Sequence, residues 1–221
     1  MKKSIFGLFI MIFSISILNA SVASEVLLNS ANGLKDIVRS EGLYKSGVLK
    51  KAKAIVIIPS AKRVGFFLGG EFGEGVATVK RYDGTWSNPF FVQLKGGSFG
   101  WQFGFDSNTI LLVFNTKKSV ESLLKNKITL GVDLSISAGY LSKNYEKKSE
   151  VDFSAEVYAY RKSEGAFIGV SLKGSVLTQD LDKDVELYGN KMGAKEIINM
   201  NNRLNIYAMD EFFKALEYIG R

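Results

Sequence analysis

The sequence has no histidine and no cysteine, and these absences exclude several kinds of chemistry. Without cysteine there is no disulfide, no thiolate nucleophile and no cysteine-based metal site. Without histidine there is no Ser-His-Asp triad and no imidazole general base. The side chains left for catalysis are Asp, Glu, Lys, Tyr and Ser, and no spacing among them selects a catalytic set. We therefore expect a protein that is not an enzyme and that uses no cofactor and no metal ion.

Three aspartates at alternate positions, Asp180, Asp182 and Asp184, have the spacing that begins a calcium loop. An EF-hand loop also needs glycine at its sixth position and glutamate at its twelfth, and Val185 and Lys191 stand there instead. The pattern therefore predicts a solvated, acidic helix start, which the helix dipole favours.

The first 23 residues have the features of an export signal. Lys2 and Lys3 precede an apolar run from Ile5 to Leu18, and Ser21-Val22-Ala23 is a small-x-small cleavage site. The run is shorter than the roughly 20 residues that span a bilayer, which favours a cleaved signal. A retained membrane anchor is the alternative interpretation. We expect a signal peptide at 1–23, a single domain at 24–221, and a periplasmic or secreted protein that is peripheral on a membrane.

Alternating apolar and polar residues predict strands across the middle of the chain. The pattern is longest from Ile128 to Tyr140, where a period of two predicts one long strand with one buried face. The pattern GGxFG begins at Gly69 and again at Gly96, which fits a kinked hairpin geometry used twice in a strongly curved sheet. Shorter strands are predicted for AIVIIP, FSAEVYAYR and AFIGVSLKG, at 54–59, 153–161 and 166–174.

Helical periodicity flanks and interrupts these strands. An N-terminal helix is predicted for 25–40, and its apolar stripe consists of Leu27, Ala31, Leu34 and Val38. Further helices are predicted for 117–127, 180–188, 194–199 and 210–219. The expected fold class is α+β: a curved, mostly antiparallel, glycine-rich β-sheet or partial barrel, flanked by N-terminal and C-terminal helices.

A basic segment follows the N-terminal helix. Its six cations are Lys45, Lys50, Lys51, Lys53, Lys62 and Arg63. Near an anionic lipid surface each such cation contributes about 1 kcal/mol of attraction, so several acting together would give useful membrane affinity. The alternative is a solvated face beside a buried strand. No nucleic-acid-binding motif is visible, and nucleic acid is not an expected partner.

Four segments resemble the SYLF domain family over roughly residues 43–200. They are Tyr160 to Gly174, the Trp-Ser-Asn-Pro stretch at 86–89, Leu130 to Asp133, and Tyr188-Gly189. The residues that carry the resemblance are Trp86, Pro89, Asp133, Tyr160, Ser163, Gly165, Phe167, Gly169, Tyr188 and Gly189. The chain departs from the family pattern at Tyr140, where proline is common, at Lys162, where arginine is usual, and at Asp184, where asparagine is common.

The resemblance implies a non-catalytic domain that binds anionic phospholipid head groups through basic residues and an amphipathic N-terminal segment. On this interpretation the stripe of the N-terminal helix lies in the membrane interface and the basic segment supplies attraction. Two alternatives stay open at this point: an outer-membrane β-barrel, and an adhesin or envelope module that binds a protein through its sheet edge.

Overall fold

The computed structural model describes residues 3–40, 42–43, 47–65, 68–99, 106–139, 155–162 and 172–220. The predictions for Lys45, Ser163, Gly165, Phe167 and Gly169 lie outside them. The helices are α1 (Lys3–Ser40), α2 (Val48–Lys51), α3 (Lys117–Leu123), α4 (Leu181–Tyr188), α5 (Ala194–Ile198) and α6 (Tyr207–Gly220). The strands are β1 (Ala54–Gly65), β2 (Leu68–Val79), β3 (Phe90–Phe99), β4 (Asp106–Phe114), β5 (Lys127–Thr129), β6 (Ile136–Ala138), β7 (Val157–Lys162) and β8 (Val176–Gln179).

The eight strands form one curled sheet in the order β5-β8-β3-β2-β1-β4-β7-β6. Every neighbouring pair is antiparallel except β6 with β7. Helices lie at both ends of the chain, so the predicted α+β class with a curved, mostly antiparallel sheet is confirmed.

Both faces of this sheet are buried, and each face has its own apolar cluster. Tyr158 and Tyr160 of β7 pack into the cluster that also contains α1 and α6. Val157 and Ala159, which alternate with them, pack into the cluster on the other face together with residues of α3 and α5. The strand predicted at 153–161 is therefore buried on both faces, because apolar clusters cover it from both sides.

The prediction of one long strand from Ile128 to Tyr140 was wrong. The chain forms β5, turns at 131–133, and only then forms β6. Gly131 has a φ of 77°, a left-handed conformation that glycine adopts without strain. The carboxylate of Asp133 accepts the backbone N–H of Thr129 at 2.6 Å and closes the turn. Val132 is consequently 73% exposed, although the alternation had placed it in the core.

The two GGxFG stretches pair with each other across one hairpin. In the register of β2 and β3, Gly70 is opposite Gly97 and Glu71 is opposite Gly96. The expectation of one hairpin geometry used twice is therefore corrected to a single pair of strands with glycines on both sides. Close approach explains a further glycine, because a Cβ at Gly75 would lie 2.0 Å from the carbonyl oxygen of Ile57.

Helix α1 packs with its apolar stripe against the rest of the protein. Leu27, Ala31, Leu34 and Val38 are all fully buried in the cluster shared with α6 and the sheet. At the edge of this contact, the Lys35 ammonium lies 3.4 Å from a carboxylate oxygen of Glu211 on α6. The stripe consists of the predicted residues. In this conformation they are buried in the protein core, so they do not lie in a membrane interface as expected. Among the described residues, no helix combines the length and hydropathy needed to cross a bilayer.

Candidate functional site: a basic groove at one end of the sheet

The described residues of the family motif build the fold. Trp86 is buried beneath the helical layer, and the ammonium of Lys80 lies 5.5 Å from the centre of its ring. The hydroxyl of Tyr188 donates to the carbonyl of Pro89 at 2.5 Å and so fixes α4 to the start of β3. Gly189 has a φ of 77° and ends α4, with its N–H bonded to the carbonyl of Val185. These residues hold elements of the fold together.

Tyr160 has a similar structural role. Its ring lies against the backbone of Gly139, where an added Cβ would come within 2.0 Å of the ring. Burial raises the pKa of its hydroxyl well above the ordinary range. The motif tyrosine therefore needs a glycine opposite it, which accounts for both residues in packing terms. Its neighbour Lys162, where the family favours arginine, forms an ion pair with Asp36 of α1.

Asp184 is a buried carboxylate, contrary to the prediction of a solvated acidic helix start. Its side chain accepts the backbone N–H of Phe91 at 2.8 Å and the amide of Gln179 at 2.7 Å. Burial raises its pKa from 3.8 to about 7, against the effect of these two hydrogen bonds. Only Asp182 is solvated as predicted; Asp180 is also buried, and it caps α4 by accepting the N–H of Lys183. Asp184 thus joins α4 to β3 and β8.

A buried charge pair lies within the sheet. Glu71 of β2 and Arg161 of β7 approach to 2.6 Å, and both side chains are almost completely buried. The pair joins two strands that are separated by β1 and β4 in the order of the sheet. This contact is closed to solvent, and it too is structural.

An open cavity of about 1110 Å³ lies where β1 begins and β2 and β4 end. The backbone brings these ends together: the N–H of Lys53 donates to Phe114, and the carbonyl of Lys53 accepts from Lys80. Helices α2 and α3 and the end of α5 complete the walls. We call this cavity the basic groove, and its charged lining residues are Lys50, Lys51, Lys53, Lys80, Arg81, Lys117, Asp83 and Glu121. Six cations against two anions give the lining a net charge of +4.

The predicted basic segment is split by this geometry. Lys50, Lys51 and Lys53 lie in the basic groove. Lys62 pairs instead with Phe72 near the opposite end of β1. Nine residues of strand separate Lys53 from Lys62, which corresponds to roughly 30 Å. Arg63 follows Lys62 on the same strand, so the expectation of one continuous basic site was wrong.

Three cations of the groove were missed from the sequence. Lys80 and Arg81 directly follow β2, and Lys117 begins α3 after β4. The signal in the sequence was that each cation follows the end of a strand. The order of the strands in the sheet is needed to know that these ends are neighbours. Arg81 is held by two hydrogen bonds from its guanidinium to the carbonyls of Ile198 and Met200, at 3.1 and 2.8 Å.

Two lysines make the groove suited to an anionic ligand. Lys50 and Lys53 are exposed and form no ion pair with any residue of the described ranges. Their ammonium groups are therefore available to a ligand that carries negative charge.

An α+β domain with an open cationic groove has the geometry of an anion-binding module. The chain belongs to the Ysc84 family, whose domain is also called SYLF. The family model described as "Ysc84: Las17-binding protein actin regulator" matches residues 95–219, more than half of the chain. The resemblance noted in the sequence is thereby confirmed.

Three curated relatives give the context of this domain. LAS seventeen-binding protein 3 of Saccharomyces cerevisiae is 35% identical over 199 residues, covering 89% of this chain and 42% of the relative. Protein YSC84 of the same organism is 34% identical over 155 residues, covering 69% and 33%. Human SH3 domain-containing YSC84-like protein 1 is 30% identical over 172 residues, covering 77% and 48%. The chain spans less than half the length of these relatives. The printed names of the family and of its yeast member describe binding and regulatory proteins.

Proposed function

We propose that this chain is a non-catalytic binding domain that docks on anionic phospholipid head groups through the basic groove. The observation that carries the proposal is the convergence of six cations from two strand ends and two helices around one opening. Two of these cations, Arg81 and Lys80, already have partners in the protein. The exposed Lys50, Lys53 and Lys117 are the groups available to a phosphate-rich surface.

The magnitude of the attraction supports this assignment. Each lysine near an anionic membrane contributes about 1 kcal/mol, so three acting together contribute about 3 kcal/mol. That corresponds to roughly a hundredfold in affinity. The interaction falls off within a Debye length of about 8 Å at physiological ionic strength, so binding should weaken steeply with added salt.

The test is vesicle co-sedimentation of protein expressed from the full sequence, with neutral vesicles and with vesicles containing anionic lipid. The groove variant Lys50→Glu/Lys53→Glu/Lys117→Glu should bind anionic vesicles at least about a hundredfold more weakly. The matched control is Lys62→Glu/Lys95→Glu/Lys173→Glu, which makes the same change in net charge on exposed side chains away from the groove.

These control positions are near one another by register. Lys62 and Lys95 both pair with Phe72, and Lys95 also pairs with Val176, which follows Lys173 closely. The control should retain most of its binding. Equal loss in the two triple variants would mean that only net charge matters, and unchanged binding in the groove variant would refute the proposal.

A protein partner is the second candidate function, and the relatives' names favour it. One relative is named as a binding protein of LAS seventeen, and the family description contains the words actin regulator. Co-sedimentation of the purified chain with actin filaments, and capture on immobilised Las17, test this directly. Binding that survives in both triple variants would place a protein partner elsewhere on the domain.

The compartment is a further part of the proposal. The export signal at 1–23 predicts a periplasmic or secreted protein whose mature chain begins near Ser24. N-terminal sequencing of the protein recovered from cell fractions tests this prediction. An intact Met1 on all of the recovered protein would refute cleavage.

A further inference from the structure

A tight turn at the mouth of the basic groove presents an isolated aromatic side chain to solvent. The turn runs from Arg81 to Thr85, and Tyr82 at its tip is completely exposed. Tyr82 also lines the groove that contains the lysines. Because the ring is completely exposed, it contributes no buried apolar area to the folded state.

Four hydrogen bonds close the turn, although its tip is exposed. The N–H of Arg81 donates to the carbonyl of Thr85 at 2.7 Å, and the N–H of Gly84 donates back to Arg81 at 3.0 Å. The carboxylate of Asp83 accepts the N–H and the hydroxyl of Thr85 at 2.9 and 2.7 Å. Gly84 has a φ of 83°, which this geometry needs.

The base of the turn is also fixed. The Arg81 guanidinium bonds to two carbonyls at the end of α5, and Lys80 stacks on Trp86. A side chain that extends from such a support enters a ligand surface with little loss of backbone entropy. The turn is therefore preorganised for contact.

We propose that Tyr82 is a membrane anchor: its ring enters the head-group region of an anionic bilayer while the surrounding lysines contact phosphates. This inference rests on the proposed function and adds the orientation of the domain and a residue that contributes by apolar contact. Tyrosine suits the interface because its ring is apolar and its hydroxyl stays hydrated. The positive surroundings favour a lipid surface, since the lining of the groove has six cations against two anions, of which Asp83 is next to Tyr82 in the chain.

The chain offers a direct experiment, because it contains no cysteine. Tyr82→Cys creates a single site for an environment-sensitive fluorophore in the full chain. Phe72→Cys is the matched control: Phe72 is a 43% exposed aromatic that lies near Lys95 but outside the groove. With anionic vesicles we expect a blue shift of the label at 82 and quenching by lipid-borne quenchers, and neither effect at 72.

A second measurement uses unlabelled protein. Tyr82→Ala should weaken co-sedimentation with anionic vesicles about fivefold, as expected for partial burial of one aromatic ring, whereas Tyr82→Trp should retain binding. Because the side chain is fully exposed, neither variant should change the free energy of unfolding.

The outcomes separate the two proposals. If wild-type protein binds anionic vesicles but the label at 82 stays in water, the anchor is refuted and the groove assignment stands. Equal shifts at 82 and 72 also refute the anchor. If wild-type protein does not bind anionic vesicles, the proposed function and the anchor both fall.

Discussion

Replacing Leu34 by Ala tests whether the apolar stripe of α1 belongs to the protein core or to a membrane-contacting face. Leu34 is fully buried in the cluster shared with α6 and the sheet. Truncating a buried leucine to alanine removes transfer free energy and leaves a cavity, which together cost 2–5 kcal/mol in well-packed cores. We expect the free energy of unfolding to fall by about 3 kcal/mol. For a domain of this size that lowers the melting temperature by roughly 6–12 °C.

The assay is urea denaturation followed by far-ultraviolet circular dichroism. Asn32→Ala is the matched control, because Asn32 is exposed on the same helix two residues away. It should change stability by less than about 0.5 kcal/mol. Vesicle binding is then measured at a temperature where both variants are folded, and we expect both to bind as tightly as the wild type.

The opposite pattern would refute this reasoning. If Leu34→Ala left stability within 0.5 kcal/mol of the wild type and weakened binding to vesicles, the stripe would be a membrane-contacting face. The packing of α1 on α6 would then not be the conformation that binds.

Two further predictions concern buried groups. The unfolded chain deprotonates Asp184 near its ordinary value, whereas burial holds its native pKa at about 7. The native state therefore binds more protons than the unfolded state between about pH 4 and 7. The free energy of unfolding should fall as pH rises through this range, by at most about 1.4 kcal/mol per pH unit from this group. Asp184→Asn should flatten that slope in denaturation curves collected from pH 4.5 to 7.5, and an unchanged slope would contradict the assignment. Gly75→Ala should lower stability by about 3 kcal/mol, because its Cβ would lie 2.0 Å from the carbonyl oxygen of Ile57. Gly70→Ala, with no heavy atom within 4 Å of its added Cβ, is the control and should change stability little.

Helices were the part of the fold that the sequence predicted well. The spacing of Leu27, Ala31, Leu34 and Val38 identified the buried face of α1, and all four are fully buried. The helix predicted for 210–219 corresponds to α6, whose buried residues include Phe212, Ala215, Leu216 and Ile219. A helical stripe is a local property of the sequence, so it can be recognised without knowing which surface the helix packs against. What the stripe packs against is not local, and a membrane and a second helix demand the same pattern.

Strand boundaries were less predictable, because alternation continues through a turn when the turn residues happen to keep its parity. Leu130 and Leu134 are both buried and both fit the pattern of a single strand. The positive φ of Gly131 and the local hydrogen bonds between Thr129 and Asp133 distinguish the turn. A glycine within an alternating run was therefore the one available warning.

The basic groove, which is the proposed binding surface, was the least predictable feature, because it depends on the order of the strands in the sheet. Lys53 and Lys62 are close in sequence, but an extended strand separates them by roughly 30 Å. Lys53 and Lys117 are far apart in sequence, yet both lie where the start of β1 meets the end of β4. In an antiparallel pair, the start of one strand lies beside the end of its partner, so cations at these two positions come close together. Which strands are partners must be known before this can be used.

The magnitudes decide between the two membrane-contacting surfaces considered for this domain. Moving α1 into a bilayer would keep Leu27, Leu34 and Val38 in an apolar environment, but it would expose the buried side chains that they cover, at about 1.5–3 kcal/mol for each one fully exposed. Exposing three such side chains would cost roughly 4.5–9 kcal/mol, which is comparable with the total stability of a typical domain, about 5–15 kcal/mol. The basic groove requires no such rearrangement, since its exposed lysines and Tyr82 already face solvent. A contribution of about 3 kcal/mol from three lysines is thus available at once, and contact through the groove is the favoured mode.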